Sequence, residues 1–369
     1  MIQGQPNHRL IKLVRRVAAA AALALAGVLA TSVAWDGLFA IQPAARAQTA
    51  DIAVAPGRLL GATRFQLAWL DWNAPRASFL TSLSNPAVAH DVAALPGVAT
   101  AIVSVSSPTP DGRNWGIDGS DLLGVDLTAA PGDRAQPRPV LMRAVSSESL
   151  SWPTWWPDGS AFVFQREDDA ALAIQTPDGF ARPPARLEIA QADGSNRRVL
   201  DASGWQPSPA PDGSALAFVR FTDRGSSLLT LSSSDASERV LVDTSVFPEI
   251  FSPRYSPDGR TIAFGARSYA DLQPTPQRTG VLNSVFSQIQ PRTASAHGTL
   301  ADLWIINADG TNLHQISNLR VHDPALAWAP DGFQMFAYGE WGGVLVDLAS
   351  GEDTLMTYLT GTTAVAWLP

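Results

Sequence analysis

The chain has 369 residues, of which 46% are hydrophobic and 16% are charged. This composition supports a large packed core and excludes an intrinsically disordered chain. The absence of cysteine excludes a disulfide framework and any thiolate metal or redox site.

The net charge of −8 is unevenly distributed along the chain. Five basic residues and one acidic residue lie before residue 48, which leaves 21 basic and 33 acidic residues, a net charge of −12, for the remainder. Binding to phosphates requires a basic face, so we do not expect nucleic acid as a partner.

The first 47 residues resemble an export signal. Four basic residues precede the uncharged apolar run 17–34, and a short segment then ends in Ala45-Arg46-Ala47. This order predicts a signal peptide over residues 1–47, cleaved after Ala47, with Ala34 as a second possible site. A permanent membrane anchor is the alternative, because the run approaches the ~20 residues that span a bilayer. We expect an extracytoplasmic location (periplasmic, secreted or attached to the envelope), a membrane anchor if the signal is uncleaved, and no membrane span after cleavage.

A repeat organises the rest of the chain after a short linker at 48–55. Within this repeat, Pro-Asp-Gly starts at positions 110, 157, 211, 257 and 330, with spacings of 47, 54, 46 and 73 residues. Periods of about 40–50 residues are typical of propeller blades or helical arrays. The triplet itself suits a hairpin turn, because proline, aspartate and glycine each favour a turn position.

The residues around each triplet predict four strands per unit. An aromatic residue recurs two positions before the proline, and we expect Trp155, Tyr255, Trp328 and Trp367 to pack between blades. Apolar residues alternate after the glycine, as in Phe162 and Phe164, which indicates a second strand. Third and fourth strands follow around turns such as Ala192-Asp193-Gly194. No sustained helical periodicity competes with this reading.

The two chain ends complete one shared blade. Residues 364–369 match 325–330, and the chain stops where the turn is expected. Residues 56–62, 65–71 and 78–81 resemble the second, third and fourth strands of a unit. We therefore predict an all-β, six-bladed propeller of four-stranded antiparallel blades over residues 56–369, closed by a composite N- and C-terminal blade.

The repeat, Trp-x-Pro-Asp-Gly followed by an apolar strand and Leu-Trp-x-x-x-x-Asp-Gly, resembles that of TolB-like propellers, also called WD-repeat-like. Residues 256–264, 302–312 and 328–332 carry the resemblance most clearly. It implies the fold and a default role in protein binding, but no individual binding residue can be carried over. TolB has an α/β domain before its propeller, and peptidase relatives carry a hydrolase domain. Neither is expected here.

No catalytic, metal-binding or cofactor-binding motif is present, so we predict a non-enzyme without a cofactor. The recurring aspartates, including Asp111 and Asp158, are interpreted as turn residues rather than calcium ligands or acids. The most acidic loop-like cluster outside the repeat is Asp118, Asp121 and Asp126. It lacks EF-hand spacing, so calcium binding there is the less favoured interpretation.

Two insertions, residues 167–185 and 268–300, fall between second and third strands and should therefore emerge on one face of the disc. Long insertions in a repeat array often lie on the binding face, although disordered decoration is the alternative. The predicted binding residues combine charged and apolar side chains, with Phe286 as the expected anchor: Glu167, Asp168, Asp169, Arg278, Val285, Phe286, Ile289 and Arg292.

These observations predict an exported binding propeller whose partner is a protein of unknown identity, with a monomer as the default state. A hydrolase or lyase with carboxylates in the central channel is one alternative, and a carbohydrate-binding module is another. A convergent cluster of Asp, Glu, Arg or His in the channel would favour the enzyme. An apolar or neutral channel would argue against it.

Overall fold

A computed structural model describes most of the chain after residue 56. The described residues are 57–63, 66–70, 77–81, 88–108, 117–129, 135–145, 147–177, 181–269, 301–321, 324–339, 342–356 and 362–369. The predicted signal sequence and the linker lie outside them. Within the described part of the chain, no helix is long and apolar enough to cross a membrane.

Six four-stranded antiparallel sheets form the blades of a propeller, as predicted. With the innermost strand given first, blade 1 consists of β26 (Thr362–Leu368), β1 (Arg58–Thr63), β2 (Gln66–Leu70) and β3 (Ala77–Phe79). Blade 2 consists of β4 (Val88–Ala93), β5 (Thr100–Pro108), β6 (Ile117–Asp126) and β7 (Arg138–Leu141). Blade 3 consists of β8 (Glu148–Trp155), β9 (Ala161–Asp168), β12 (Ala185–Gln191) and β13 (Arg198–Asp201).

Blades 4 to 6 follow the same order. Blade 4 consists of β14 (Trp205–Pro209), β15 (Ala215–Thr222), β16 (Gly225–Ser232) and β17 (Glu238–Val242). Blade 5 consists of β18 (Glu249–Tyr255), β19 (Thr261–Arg267), β20 (Ala301–Asn307) and β21 (His314–Val321). Blade 6 consists of β22 (Ala325–Trp328), β23 (Gln334–Gly339), β24 (Gly342–Asp347) and β25 (Asp353–Met356). A separate two-stranded sheet, β10 (Ile174–Gln175) with β11 (Ala181–Arg182), lies within the first insertion.

The C-terminal strand closes the ring, which confirms the predicted composite blade. β26 pairs antiparallel with β1, with Leu59 opposite Trp367 and Leu60 opposite Ala366. The six innermost strands contact one another in sequence, and β26 touches both β22 and β4. Pairing with β26 covers the inner edge of β1, which would otherwise be free to pair with another chain.

The core consists of six apolar clusters, one between each pair of neighbouring blades. The middle strands are therefore buried on both faces, as in β9, where Phe162, Val163 and Phe164 are all buried. The recurring aromatics belong to these seams as expected. Trp155 and Trp367 are buried, and Tyr255 and Trp328 pack against seam clusters while partly buried.

The disc has two distinct faces because strands alternate in direction within a blade. The turn face carries the turns between first and second strands and between third and fourth strands. The loop face carries the loops between second and third strands and the connections from one blade to the next. The first predicted insertion joins β9 to β12 and therefore belongs to the loop face. The second insertion, 268–300, connects β19 to β20 and lies outside the described residues after residue 269.

The repeated aspartates are turn residues, as interpreted from the sequence. The Oδ1 atom of Asp158 accepts a hydrogen bond from the backbone N–H of Ser160 at 2.9 Å, and Asp212 and Asp258 make the same contact two residues on. The glycines that follow have φ near +71°, a left-handed conformation that favours glycine. Local backbone geometry therefore explains the repeated carboxylates.

Blade 2 departs from the sequence prediction. Its first turn is Leu95-Pro96-Gly97, closed by a 3.1 Å hydrogen bond from the Val98 N–H to the Leu95 carbonyl. Residues 110–112 lie between the second and third strands, outside the described residues, so that Pro-Asp-Gly does not mark the turn expected there. The prediction failed because a Pro-Gly pair is sufficient to form this turn. Without the aspartate, the sequence does not mark the position of the turn.

The predicted acidic loop at 118–126 is also wrong, because these residues form the strand β6. Asp121 accepts a hydrogen bond from the backbone N–H of Arg143 at 2.8 Å, and Asp126 accepts one from Thr128. Both carboxylates are thus used within the blade. No group of three or more His, Cys, Asp or Glu side chains suited to a metal occurs among the described residues.

Candidate functional site

The innermost strands of blades 2 to 5 each contain a β-bulge where they line the central channel. The register shifts at this level in β4, β8, β14 and β18. In blades 3, 4 and 5 the bulged residues are Trp152, Gln206 and Ser252, with φ angles of 49°, 54° and 48°. A left-handed backbone is costly for residues other than glycine, so the surrounding structure has to support it.

Hydrogen bonds from one blade to the next provide that support. The N–H of Trp152 donates to Asp91 Oδ2 of blade 2 at 3.0 Å, and the N–H of Gln206 donates to Gln165 Oε1 of blade 3 at 2.9 Å. The Ser252 N–H donates to Gln206 Oε1 of blade 4 at 2.7 Å. These three bonds form a belt that connects blades 2 to 5 around the channel.

Carboxylates gather beside this belt, towards the loop face. Glu167, near the end of β9, accepts hydrogen bonds from the side chains of Gln165 and Ser151, the latter at 3.4 Å. Asp169 accepts a 2.9 Å hydrogen bond from Ser149. Burial, together with the negative charges of Asp169 and Asp91, raises the pKa of Glu167 to about 7. Glu167 can therefore exchange a proton near neutral pH.

A partly buried histidine belongs to the same region. His90 Nε2 lies 2.6 Å from Ser106 Oγ, and burial lowers the pKa of this imidazole, although the neighbouring Asp91 carboxylate opposes the shift. Burial raises the pKa of Asp91, partly offset by the hydrogen bond from Trp152. The Ser106 hydroxyl is buried, which leaves this serine without access to a substrate.

An arginine faces these groups across the channel. Arg254 of blade 5 lines a pocket with Asp91 and Trp152, and its Cζ lies 5.5 Å from the centre of the Trp152 ring. Burial lowers the pKa of Arg254 to about 10. Asp91 and Arg254 thus line the channel pocket, and Glu167 and His90 lie near enough to interact electrostatically with Asp91, which keeps the enzymatic alternative open.

The opposite side of the channel is apolar. Ala325 of blade 6 and Val365 of blade 1 complete the pocket lining. At this level the space is only wide enough for about one water molecule. A polymeric substrate cannot pass, so any larger ligand has to bind at a channel mouth or on a face.

The first insertion is an ordered hairpin on the loop face, and disordered decoration does not describe it. Its strands β10 and β11 pair with Ile174 opposite Arg182. Ile174 packs against the apolar cluster between blades 4 and 5, which includes Phe221 and Phe247. The Arg182 guanidinium carbon lies 4.4 Å from the centre of the Phe221 ring. The hairpin of blade 3 therefore lies over blade 4.

An ion-pair network anchors this hairpin to blade 5. Arg182 and Arg267 both pair with the carboxylate of Glu249, one at each oxygen. Glu249 and Arg267 are fully buried in the seam. Because a buried charge is tolerated only with a counter-charge, this network fixes the position of the hairpin relative to blade 5.

Exposed apolar side chains concentrate on the loop face. Eight large apolar side chains are exposed among the described residues, and four of them lie in loop-face connections: Met142, Val145, Leu172 and Val246. Leu172, in the first insertion, is 93% exposed. We call these four residues the loop-face patch. The turn face has one exposed counterpart, Phe333, which is 69% exposed.

The predicted binding residues have different outcomes. Glu167 lies in β9 beside Gln165 of the belt, and Asp168 and Asp169 continue into the insertion on the loop face. Arg278, Val285, Phe286, Ile289 and Arg292 lie outside the described residues, so their role stays a prediction. Sequence reasoning missed Asp91, His90 and Arg254. A signal for the channel was present in the prolines that follow the bulged residues Trp152, Gln206 and Ser252, because a repeated x-Pro inside a strand indicates a bulge.

Comparisons with known proteins agree on the fold. No known family profile and no curated protein matches the chain by sequence. A chain of the nidogen/laminin complex matches the structure with a TM-score of 0.57 and 11% identity, over 85% of this chain and 99% of that one. The putative TolB from Agrobacterium tumefaciens matches with a TM-score of 0.53 and 13% identity, over 86% of this chain and 100% of that one. TolB from Acinetobacter baumannii matches with a TM-score of 0.54 and 13% identity, over 85% of this chain and 67% of that one.

The chain has the fold of a TolB-like propeller. Both the six blades of the structure and the TolB neighbours confirm this prediction. Identities of 11–13% establish the fold alone, so the function has to be argued from the faces and the channel of this chain.

Proposed function

We propose that this chain is an exported, non-catalytic propeller that binds a protein partner on its loop face. The loop-face patch carries the proposal, because half of the exposed large apolar side chains of the described structure fall on one arc of connections, between blades 2 and 5. Concentrated exposed apolar residues mark interaction surfaces, whereas isolated ones are ordinary.

The charges around the loop-face patch suggest the chemistry of the partner. Asp169 and Asp243 are exposed in the same connections, and Asp223 and Arg224 are exposed in the β15–β16 turn of the same face. The chain beyond residue 47 also carries a net charge of −12, from 21 basic and 33 acidic residues. A partner with apolar side chains surrounded by lysine or arginine would complement this face.

The rigid hairpin supports this role. Arg182 of the hairpin pairs with Glu249 of blade 5, which also pairs with Arg267 of the same blade, so Leu172 is presented from an anchored segment. A preorganised surface loses less conformational entropy on binding than a mobile loop does. Export is supported by the basic, apolar and small-residue segments of the first 47 residues.

The test is capture from an envelope extract with the chain lacking residues 1–47. Leu172→Asp and Val246→Asp should each reduce capture of the specific partner by about tenfold or more, as for a central apolar contact. Phe333→Asp is the matched control, because it changes an exposed apolar residue on the turn face. Loss of capture with Phe333→Asp and retention with Leu172→Asp would contradict the proposal.

A second candidate function is hydrolase or lyase chemistry at the channel. The observation that favours it is the approach of Glu167, Asp91, His90 and Arg254, since displaced carboxyl pKa values are common among catalytic acids and bases. A survey of ester, glycoside and uronate substrates, comparing the parent chain with Glu167→Gln, tests it. Activity that disappears in the variant would support catalysis. A carbohydrate platform has less support, because Trp155, Trp205 and Trp367 are buried in the seams.

A further inference from the structure

The hairpin of the first insertion is held at two ends that differ in chemistry. Its second strand is fixed by the ion pair of Arg182 with the buried Glu249. Its root, where Asp169 follows β9, is held by a 2.8 Å hydrogen bond from the Asp169 N–H to the Ser147 carbonyl. The Asp169 carboxylate also accepts a 2.9 Å hydrogen bond from the hydroxyl of Ser149. The root therefore depends on a carboxylate that has a hydroxyl as its side-chain partner instead of a base.

Two carboxyl groups lie together on the side of blade 3 that faces blade 4. Val163 of β9 packs in the seam cluster with blade 4, and strand alternation places Gln165 and Glu167 on the same side. Asp169 also reaches this side, because it is bonded to Ser149, the residue opposite Glu167 in β8. Among the described residues, no arginine forms an ion pair with either carboxylate.

The other charged groups around Glu167 do not neutralise it. The arginines of the blade 3 sheet lie on its opposite side, which faces blade 2, and pair there with glutamates: Arg166 with Glu148, and Arg186 and Arg197 with Glu188. Across the seam, Arg220 of blade 4 pairs with Asp201 and Glu238. Asp91 of blade 2 adds a negative charge. The ionised form of Glu167 thus has no base to stabilise it in the described part of the chain.

Ionisation of Glu167 places two like charges at the hairpin root. Burial and the charge of Asp169 raise the pKa of Glu167 to about 7, so its ionisation occurs near neutral pH. Glu167 cannot move away easily, because β9 is paired with β8 on one side and with β12 on the other. Asp169 lies beyond the strand and is exposed. Displacement of Asp169, with loss of its bond to Ser149, is therefore the way in which the repulsion is relieved.

The first half of the hairpin can move without the second half. β10 pairs with β11 through two residues only, Ile174 opposite Arg182 and Gln175 opposite Ala181. The ion pair of Arg182 with Glu249 holds β11 on blade 5, whereas β10 is held by the packing of Ile174 against the seam cluster and by the root. Weakening the root therefore acts on the segment 169–175.

We propose that Glu167 and Asp169 form a latch at the hairpin root, which is closed while Glu167 holds a proton and opens when that proton passes to solvent. Opening releases the segment 169–175, which includes Leu172, while β11 stays in place. The consequence for partner capture rests on the proposed function. A released Leu172 loses its preorganised position, so capture should be weaker at pH 8 than at pH 6.

Thiol labelling tests the latch without a partner. The chain has no cysteine, so a substituted cysteine is its single thiol. In Ile174→Cys the thiol lies against the seam cluster and reacts when the segment is released, whereas in Leu172→Cys it lies at a position that is 93% exposed in the closed state. The ratio of the two alkylation rates cancels the pH dependence of the thiol itself. Because opening releases a proton, this ratio should rise about tenfold between pH 6 and pH 8 and then level off.

Two glutamate variants, each combined with Ile174→Cys and with Leu172→Cys, identify the titrating group. Glu167→Gln carries no charge at either pH and should keep the ratio low and constant. Glu238→Gln is the matched control, because it removes a carboxylate that Arg220 already neutralises, and it should preserve the rise.

A ratio that does not change between pH 6 and pH 8 would overturn the latch, as would an equal rise in Glu167→Gln or loss of the rise in Glu238→Gln. If Ile174→Cys does not fold, hydrogen exchange of the amides of 169–175 in the parent chain decides, after correction for intrinsic exchange rates, by the same tenfold rise. Neither measurement involves a partner, so failure of the latch is distinguished from failure of loop-face binding.

Discussion

The same residues recur from blade to blade on the turn face of this propeller, whereas the connections of the loop face differ between blades. On the turn face, Asp158, Asp212 and Asp258 each accept the backbone N–H two residues on, and each is followed by a left-handed glycine. On the loop face the connections differ in length from blade to blade, and one carries the anchored hairpin at 174–182. The residues that repeat in every blade are those that the fold requires. The connections that differ between blades are where a specific function can reside.

The same contrast holds around the channel. The hydrogen-bond belt joins the innermost strands of blades 2 to 5, whereas blades 6 and 1 contribute Ala325 and Val365. The polar half contains titratable groups with displaced pKa values, and the apolar half contains none among its described lining residues. The channel is therefore polarised although the blades repeat.

Removing the closing strand should have the largest effect, since it disrupts both faces at once. Deletion of residues 362–369 exposes the edges of β1 and the seams on each side of blade 1. Loss of Trp367 alone costs roughly 1.5–3 kcal/mol, a large part of the ~5–15 kcal/mol typical of a domain. Thermal unfolding should lose cooperativity or shift down by more than about 10 °C. An unchanged melting temperature would contradict ring closure.

The anchor of the loop-face hairpin is the next most sensitive point. Glu249→Ala removes the carboxylate that binds Arg182 and Arg267 in a buried seam, and should cost about 3–5 kcal/mol in the free energy of unfolding. Glu238→Ala breaks the more exposed pair with Arg220 and should cost less than about 1 kcal/mol. Denaturant unfolding measures both. Similar losses would indicate that the hairpin is not held by a buried network.

The pH dependence of stability should show the raised pKa of Glu167. Between pH 4.5 and 7 the folded chain keeps a proton that the unfolded chain has released, so the free energy of unfolding falls as pH rises through this window. The contribution is about 3 kcal/mol at most and is fully present below pH 4.5. Glu167→Gln should flatten this part of the profile and stabilise the chain at pH 8. A profile identical to that of the parent chain would show that Glu167 titrates normally.

Two glycines of the turn face offer a smaller, matched comparison. Both Gly194 and Gly97 have φ near +80°, so alanine is strained at either position by about 1 kcal/mol. A Cβ at Gly194 would lie 1.9 Å from the Val140 carbonyl oxygen, whereas one at Gly97 meets no atom within 4 Å. Gly194→Ala should therefore be the more destabilising by about 1–3 kcal/mol. Equal melting temperatures would mean that the turn of blade 3 does not approach blade 2.

The sequence was sufficient for the architecture because every blade repeats the same local physics. Proline, aspartate and glycine set the turns, and alternation sets the strands, so six blades and the composite closure could be predicted. The prediction failed in blade 2, where Pro96-Gly97 forms the turn without an aspartate and a Pro-Asp-Gly triplet occurs elsewhere. There the triplet resembled the repeat without occupying its structural position.

The functional surfaces could not be predicted in the same way. Asp91 and Arg254 are 163 positions apart and approach each other only because blades 2 and 5 stand opposite in a closed ring. Likewise, Arg182 reaches Glu249 by crossing an entire blade. Such contacts depend on the closed tertiary structure and leave no local pattern in the sequence.

Hydrogen exchange of the chain lacking residues 1–47, with and without its captured partner, tests the central claim most directly. The account predicts slower exchange on binding at 142–145, 169–182 and 243–247, the segments that contain the loop-face patch, with no change at the turns 157–160, 211–214 and 257–260. Protection confined to the turns, with unaltered exchange at 169–182, would contradict it.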